Sequence, residues 1–419
     1  MSGESGPFLS RRQLLAGSGL AAAAVVAAAA ATGTRDAAGA IDGRPGVAVA
    51  FHGDHQAGIV TPEQDRLVFA AFDLTDSGRA GLVDLLARWT EAAGRMTAGL
   101  ALVGPSDPFS PPVDTGEALD LPPSRLTVTV GFGPSLFDDR FGLAARRPAA
   151  LIDLPAFPGD ALEPDQTGGD LCIQACADDA QVAFHAVRSL ARLAVGTAAL
   201  RYLQIGFGRT ASAGGAASTP RNLLGFRDGT DNPVPSDPGA MHSTVWVDGH
   251  GDQQWMHGGS YLVARRIRIH LEAWDRSTLG DQERTIGRAK TTGAPLGSEH
   301  ERDPVDLDAL DSFGTPLIPP GAHIRTAAPS TNHGSTILRR GYNFVDGVDP
   351  ATGELDAGLF FICFQRDPSS QFVPIQQRIA RQDALASYLV HTGSGIFACP
   401  PGTTPGRTWG AELFRPGHP

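Results

Sequence analysis

Three short segments of this 419-residue chain carry side chains able to do acid–base or metal-ligand chemistry. In the first, Thr219 to Pro233, two glycines and two prolines surround Asp228, and Leu223-Leu224-Gly225-Phe226 lead into it. An Asp-Gly pair reads as a turn. The apolar approach also suits a buried cavity, where a carboxylate can take a proton and return it. The second segment, Gly321-Ala322-His323-Ile324-Arg325, follows Pro319-Pro320. A lone histidine is ordinarily structural or exposed, and it is also the commonest metal ligand. The chain has 12 histidines but no His-x3-His and no paired His–carboxylate motif, which argues against a zinc site built from local ligands. The third segment is Ile337-Leu338-Arg339-Arg340-Gly341-Tyr342. On a strand, neighbouring side chains point to opposite faces, so Ile337, Arg339 and Gly341 share one face and Leu338, Arg340 and Tyr342 the other. Only one of the two arginines can look into a given cavity, and a buried one needs an anionic partner.

The elements that must position these residues follow from periodicity. With 42% hydrophobic and 19% charged residues, the chain can bury a large core. A net charge of -11 argues against nucleic acid or an anionic membrane as partner. Alternation predicts strands over 66–74, 125–133, 171–177 and 200–207. Leu82, Leu85, Leu86 and Trp89 predict a helix over 78–97; a second, with Val182, His185, Leu190 and Leu193, follows an Asp178/Asp179 cap. That order, β-α-β-β-α-β, is the ferredoxin-like pattern. It recurs with strands at 260–270, 336–344 and 359–365, a short strand near Ile396, and helices at 279–288 and 372–389. The expected class is α+β: two ferredoxin-like halves with antiparallel sheets, over 65–218 and 219–419. Thr210–Ser218, rich in Gly, Ala and Ser, links them, and 41–64 forms an extended arm.

The first 40 residues differ from the rest. Ser10-Arg11-Arg12-Gln13-Leu14-Leu15 precedes an Ala/Gly/Val-rich run to Ala31, and Ala38-Gly39-Ala40 offers a small-x-small cleavage site. This is the pattern of a signal peptide with twin arginines, so the expected partner is the Tat export machinery. The expected location is extracellular or in the cell envelope, periplasmic in a diderm host. A membrane anchor is the other reading, for which the run is weakly hydrophobic. Cys172 and Cys176 sit on one predicted strand, about 13 Å apart at the usual rise, too far to bridge. With Cys363 and Cys399 they read as buried thiols.

The three segments, in this order, resemble the dye-decolorizing peroxidase family, on the branch of Tat-exported deferrochelatase/peroxidases. Further matches are Gly206–Thr210, Gly287–Lys290, Thr292–Gly297, Glu299–Asp303 and Gly358–Gln365, within a likeness running from about 60 to 410. The resemblance implies a dimeric-α+β-barrel-type fold and a haem, whose iron needs only one protein ligand. It makes His323 the proximal ligand, Asp228 the distal acid–base group and Arg339 the distal arginine. Gly229, Thr230 and Asp231 become haem contacts, Arg288 and Arg325 partners of the propionates, and Leu359 and Phe361 an apolar lid. No Cys-x2-Cys-His motif is present, so the haem expected is haem b, held non-covalently. The implied reaction uses hydrogen peroxide to oxidise a bulky phenolic or dye-like electron donor. The alternative is deferrochelation, release of iron from haem with the porphyrin intact, which would bring iron-uptake partners. The oligomeric state has no signature. Relatives often carry Asn-Pro-Arg where this chain reads Thr326-Ala327-Ala328-Pro329-Ser330, so no haem contact carries over there. Asp383 is a candidate acceptor behind His323 by position, though it reads first as a helix-surface aspartate. The aromatic residues Tyr342, Tyr388, Trp246, Trp255 and Trp274 read as packing, and no radical site is assigned.

Overall fold

The computed structural model describes residues 46–75, 78–104, 107–208 and 219–415. The expected signal over 1–40, the first residues of the arm and the Thr210–Ser218 linker lie outside the described residues. Nine strands appear among the described residues: β1 (Arg66–Leu74), β2 (Thr127–Phe132), β3 (Leu171–Ala177), β4 (Ala198–Phe207), β5 (Ser260–Ile269), β6 (Leu338–Arg339), β7 (Tyr342–Val348), β8 (Leu355–Gln365) and β9 (Leu389–Cys399). The helices are α1 (Gly78–Thr97), α2 (Ala180–Ala194), α3 (Pro238–Thr244), α4 (Leu271–Asp275), α5 (Leu279–Ile286), α6 (His323–Thr326) and α7 (Phe372–Gln382).

Two antiparallel quartets share one connectivity. The first runs β2-β3-β1-β4 and the second β7-β8-β5-β9, each the ferredoxin-like order. They join edge to edge through Phe132–Ala398 and Phe207–Asn343, so the two expected sheets close into a single barrel. The short β6 lies on β8 beside β7. Inside the barrel, Leu67, Phe69, Leu262, Phe360, Ile362 and Phe397 are buried together. Phe69 of the first quartet meets Phe360 at 5.1 Å and Phe397 at 6.0 Å, both of the second. Outside, α1 and α2 cover the first quartet, packing Leu85, Trp89, Val182 and Leu190 on Val68, Ala70 and Phe72. The arm crosses the joint, where the buried Gln56 donates to the carbonyls of Val130 and Pro400 at 3.0 and 2.9 Å.

Local chemistry explains the element ends. Asp179 caps α2 by accepting from the amides of Gln181 and Val182 at 2.7 and 3.0 Å. The helix expected over 372–389 stops instead at Gln382. Asp383 turns extended, and its carboxylate caps a separate 3-10 turn over Ala384–Tyr388 through the Leu385 amide at 2.8 Å. The strand expected over 336–344 is interrupted at Arg340-Gly341, but its register on β8 persists, from Arg339 opposite Cys363 to Tyr342 opposite Phe360. The final strand is not short. β9 spans 11 residues and pairs along β5, its alternation hidden by Thr392-Gly393-Ser394-Gly395.

Because Phe69 joins the two quartets across the barrel, Phe69→Ala should destabilise the whole described barrel by about 3–5 kcal/mol. Denaturant unfolding followed by near-UV and far-UV signals should show one transition shifted in both. A loss under about 1 kcal/mol would mean that the interior closes around the hole and does not depend on this contact.

Candidate active site

Asp228 lies in a loop folded back on itself. Its amide donates to the Pro220 carbonyl at 2.9 Å, and Arg221 bridges Arg227 across the loop. Gly229, the next residue, has φ +107, a conformation that favours glycine. The Asp228 carboxylate accepts from Arg339 Nη1 at 2.8 Å, and each side chain remains 30% exposed, so the pair is open to a ligand. Asn232 fixes Arg339 from the same loop. Its side-chain oxygen takes the Arg339 amide at 3.0 Å and its amide donates to the Arg339 carbonyl at 2.7 Å. The adjacent Arg340 points into the barrel, as alternation requires, and donates to the carbonyl of Thr61 and to Gln64 on the arm. Asp228, Gly229, Asn232, Arg339, Gly341 and Leu359 line a narrow cleft.

His323 opens the single turn α6. It does not line that cleft, but it lies near enough for Arg339 to oppose, and Asp228 to favour, protonation of its ring. Its Nδ1 is 2.6 Å from Oδ2 of Asp383, a carboxylate with no exposed side-chain surface. Asp383 also accepts from Thr326 Oγ1 at 2.9 Å. It is therefore not the surface residue that the helical pattern suggested; the break after Gln382 turns it inward. Burial pulls the His323 pKa down, but the charge and hydrogen bond of Asp383 outweigh it and leave the imidazole above its ordinary value. Nε2 makes no protein hydrogen bond among the described residues and keeps a nitrogen available for a ligand.

The other residues singled out from the sequence divide into two groups. Leu359 and Phe361 share the outer face of β8 and are partly exposed, whereas Phe360, Ile362 and Phe364 between and beside them are buried in the barrel. Thr230, Asp231, Arg288 and Arg325 instead engage the surrounding loops. Thr230 donates to Glu301 at 2.9 Å, and Arg288 donates to Asp231 and to the carbonyls of Gly293 and Glu301, each at 2.9 Å. Arg325 donates to the carbonyls of Leu307, Ile318 and Pro319. Asn232 and Glu301 were not recognised as site residues, since a polar residue in a polar loop carries no periodic signal. No group of three or more His, Cys, Asp or Glu side chains among the described residues could hold a metal ion. One imidazole backed by a buried carboxylate suits a metal that arrives with its other ligands.

The chain is similar to known proteins over most of its length. Residues 56–208 match the N-terminal Dyp-type peroxidase family and 219–404 its C-terminal counterpart. A deferrochelatase of Shigella sonnei is 39% identical over 417 residues, covering 97% of each chain. One from Yersinia pestis is 37% identical over 404 residues, covering 94% of this chain and 92% of that one. Among solved structures, ferric DtpA from Streptomyces lividans is 41% identical, with a TM-score of 0.83 over 88% of this chain and 97% of that one. A DyP-type peroxidase from Streptomyces coelicolor, also 41% identical, gives a TM-score of 0.84 over 89% and 98%.

Removing the Asp383 charge should expose how much it holds the imidazole. In haem-free Asp383→Asn, the His323 pKa should fall, since the opposing burial remains, and NMR titration of the ring would measure it. The pair raises the folded-state pKa of His323. Its contribution to stability is therefore complete below the unfolded value of 6.5 and fades as pH rises through the folded one. An unchanged titration in the variant would show that Asp383 does not govern the ring.

Proposed function

The chain belongs to the Dyp-type peroxidase family of haem-dependent enzymes, and from that premise we propose that it is a peroxidase in which His323 ligates the iron and Asp228 and Arg339 act on peroxide. The observation that supports this reading is the pairing of His323 with a buried carboxylate behind it, together with that of Asp228 and Arg339 at the cleft. The residues present fit a haem. Asp383 occupies Nδ1 and leaves Nε2 for the metal, and the partly exposed faces of Leu359 and Phe361 suit an apolar macrocycle. Gly341 keeps that face flat, because a Cβ there would stand 3.1 Å from Leu359 Cδ1. The four cysteines are buried and free, which supports haem b held without a covalent bond.

Haem, when bound, supplies the redox chemistry. The chain's own groups manage protons and charge. Asp228 takes the proton from one peroxide oxygen and returns it to the other as the O–O bond breaks. Arg339 donates to the departing oxygen, whose negative charge grows as the bond lengthens, and holds the Asp228 carboxylate in place meanwhile. Asp383 keeps the proton on Nδ1, so that Nε2 presents its lone pair and the imidazole gains basicity. The proposed donors are bulky phenols or dyes.

A second reading has an observation of its own: the curated relatives at 37–39% identity are named deferrochelatase. On that reading the same pocket releases iron from haem and leaves the porphyrin whole. Incubating haem-loaded protein and assaying free iron beside metal-free porphyrin separates this from turnover of an anthraquinone dye with peroxide at acidic pH. We also infer export through the Tat route, on the strength of Ser10-Arg11-Arg12-Gln13-Leu14-Leu15. Mass spectrometry of the protein recovered outside the cytoplasm should find an N-terminus near Ile41, and an intact Met1 there would refute cleavage.

Arg339→Leu should slow the reaction with peroxide by about 10²–10³-fold, the loss typical of one charge-stabilising donor. Asp228→Asn should slow it by about 10²-fold or more. Stopped-flow absorbance of the haem-loaded variants measures both. Wild-type rates in the two variants would remove the distal assignment. His323→Ala should lose the ligand-dependent Soret position, and an unchanged spectrum would remove the proximal one.

A further inference from the structure

Glu301 stands in the long loop between α5 and α6, within the segment Glu299–Asp303, and has no part in the chemistry above. Its side chain is only 14% exposed, unusual for a carboxylate in so polar a loop. One oxygen accepts from Thr219 Oγ1 and from Thr230 Oγ1, the latter at 2.9 Å, and the other from Arg227 Nη1. All three donors belong to the loop that carries Asp228, at its entry, immediately before it and two residues after it. The Glu301 carbonyl accepts from Arg288 Nη1 at 2.9 Å, and Arg288 Nη2 continues to Asp231 at 2.9 Å. Gly293 admits the Arg227 side chain, since a Cβ there would come within 2.6 Å of Arg227 Cδ.

We propose that Glu301 is the positioning residue for Asp228, anchoring the loop on both sides so that the carboxylate stays aimed at Arg339. The proposal rests on the reading of Asp228 as the acid–base group. The physical need arises at Gly229. A glycine at φ +107 puts no Cβ restraint on the backbone beside Asp228, and the Asp228–Arg339 contact, open to solvent, adds little to the backbone ties that the Asp228 amide makes to Pro220 and Asn232 makes to Arg339. Arg227 and Thr230 flank the swivel, and their shared acceptor turns two mobile side chains into a closed clamp. Burial raises the Glu301 pKa, but the hydroxyls of Thr219 and Thr230 and the charge of Arg227 more than offset it and keep the acceptor ionised.

The test compares Glu301→Ala, Glu301→Gln, Asp228→Asn and the Glu301→Ala/Asp228→Asn double variant. In haem-free protein, hydrogen–deuterium exchange should accelerate across 219–232 in Glu301→Ala while β8 keeps its protection. In haem-loaded protein, Glu301→Ala should lower the second-order rate with peroxide by about 10–100-fold, as a misplaced catalytic group does, with the donor KM unchanged. Glu301→Gln, which keeps an oxygen for both threonines but loses the charge for Arg227, should lose less. The double variant should be no slower than Asp228→Asn alone, because Glu301 acts through that residue. If Asp228→Asn is slow but both Glu301 variants react at the wild-type rate, the positioning role is wrong. Multiplying losses in the double variant would equally overturn it. If Asp228→Asn itself reacts normally, the acid–base reading fails first, and the exchange result then reports only the clamp.

Discussion

The register of β6 on β8 sets Arg339 opposite Cys363 and thereby decides which of two adjacent arginines meets the cleft. Arg339 turns outward to Asp228, and Arg340 turns into the barrel to the arm. A slip of one residue would exchange them, leaving a buried guanidinium without its acceptors and a cleft without its cation. β8 serves both sides of this arrangement. Phe360, Ile362 and Phe364 fill the barrel, and Leu359 and Phe361 form an apolar wall outside it. Arg339 and the apolar wall are thus tied to a strand whose other face is buried in the barrel.

Several charges are buried to secure the barrel, each with its compensation in view. Arg266 of β5 is withdrawn from water, which costs it dearly. Asp346 and Asp356 at 2.9 and 2.8 Å, Gln204 and the Phe344 ring at 4.2 Å compensate and leave its pKa raised. These partners come from β4, β7 and β8, so one guanidinium cross-links the seam where the quartets meet through a single residue pair. On the opposite face Arg265 meets Asp160, Ser394 and His391, and burial with that neighbouring cation depresses His391 to about 3. A neutral His391 can accept from Arg265 Nε at 3.3 Å without adding a charge. Such pairs stabilise little against an apolar alternative, but breaking one leaves an unmatched charge, so they enforce register.

The sequence made the fold legible wherever side chains obeyed a period. β1, β3 and α1 match the predicted spans; α1 has one uniform face to bury, whereas β1 buries both, Leu67 and Phe69 in the barrel and Val68, Ala70 and Phe72 under the helices. β9 escaped, since glycine and hydroxyl residues pair along β5 without advertising an apolar face. Asp383 was misread for a related reason. The apolar spacing through Leu385 and Leu389 continues past Gln382, although the backbone there leaves the helix, and periodicity records burial and not hydrogen bonding. Alternation allowed only one of Arg339 and Arg340 to face the cleft, and the choice of Arg339, like the roles of His323 and Asp228, came from the order that matched a family. Asn232 and Glu301 bind the site through loop-to-loop hydrogen bonds, which no local pattern encodes.

The two quartets have the same connectivity but bury their outer faces differently, and that difference explains where a site can exist. On the first, the 20 residues of α1 and 15 of α2 lie across the sheet and leave Val68, Ala70 and Phe72 fully packed. On the second, α5 has 8 residues, α6 has 4 and α7 has 11, and long loops replace the missing turns. Shorter helices leave this face incompletely covered: Phe361 leans on Phe372 of α7, and Leu359 remains partly open beside Asp228 and Arg339. Left to water, such apolar surface is a cost of about 25 cal/mol for every Å². A flat apolar cofactor bound there would recover it, so the same helix shortening that opens the site would also supply part of the affinity that fills it.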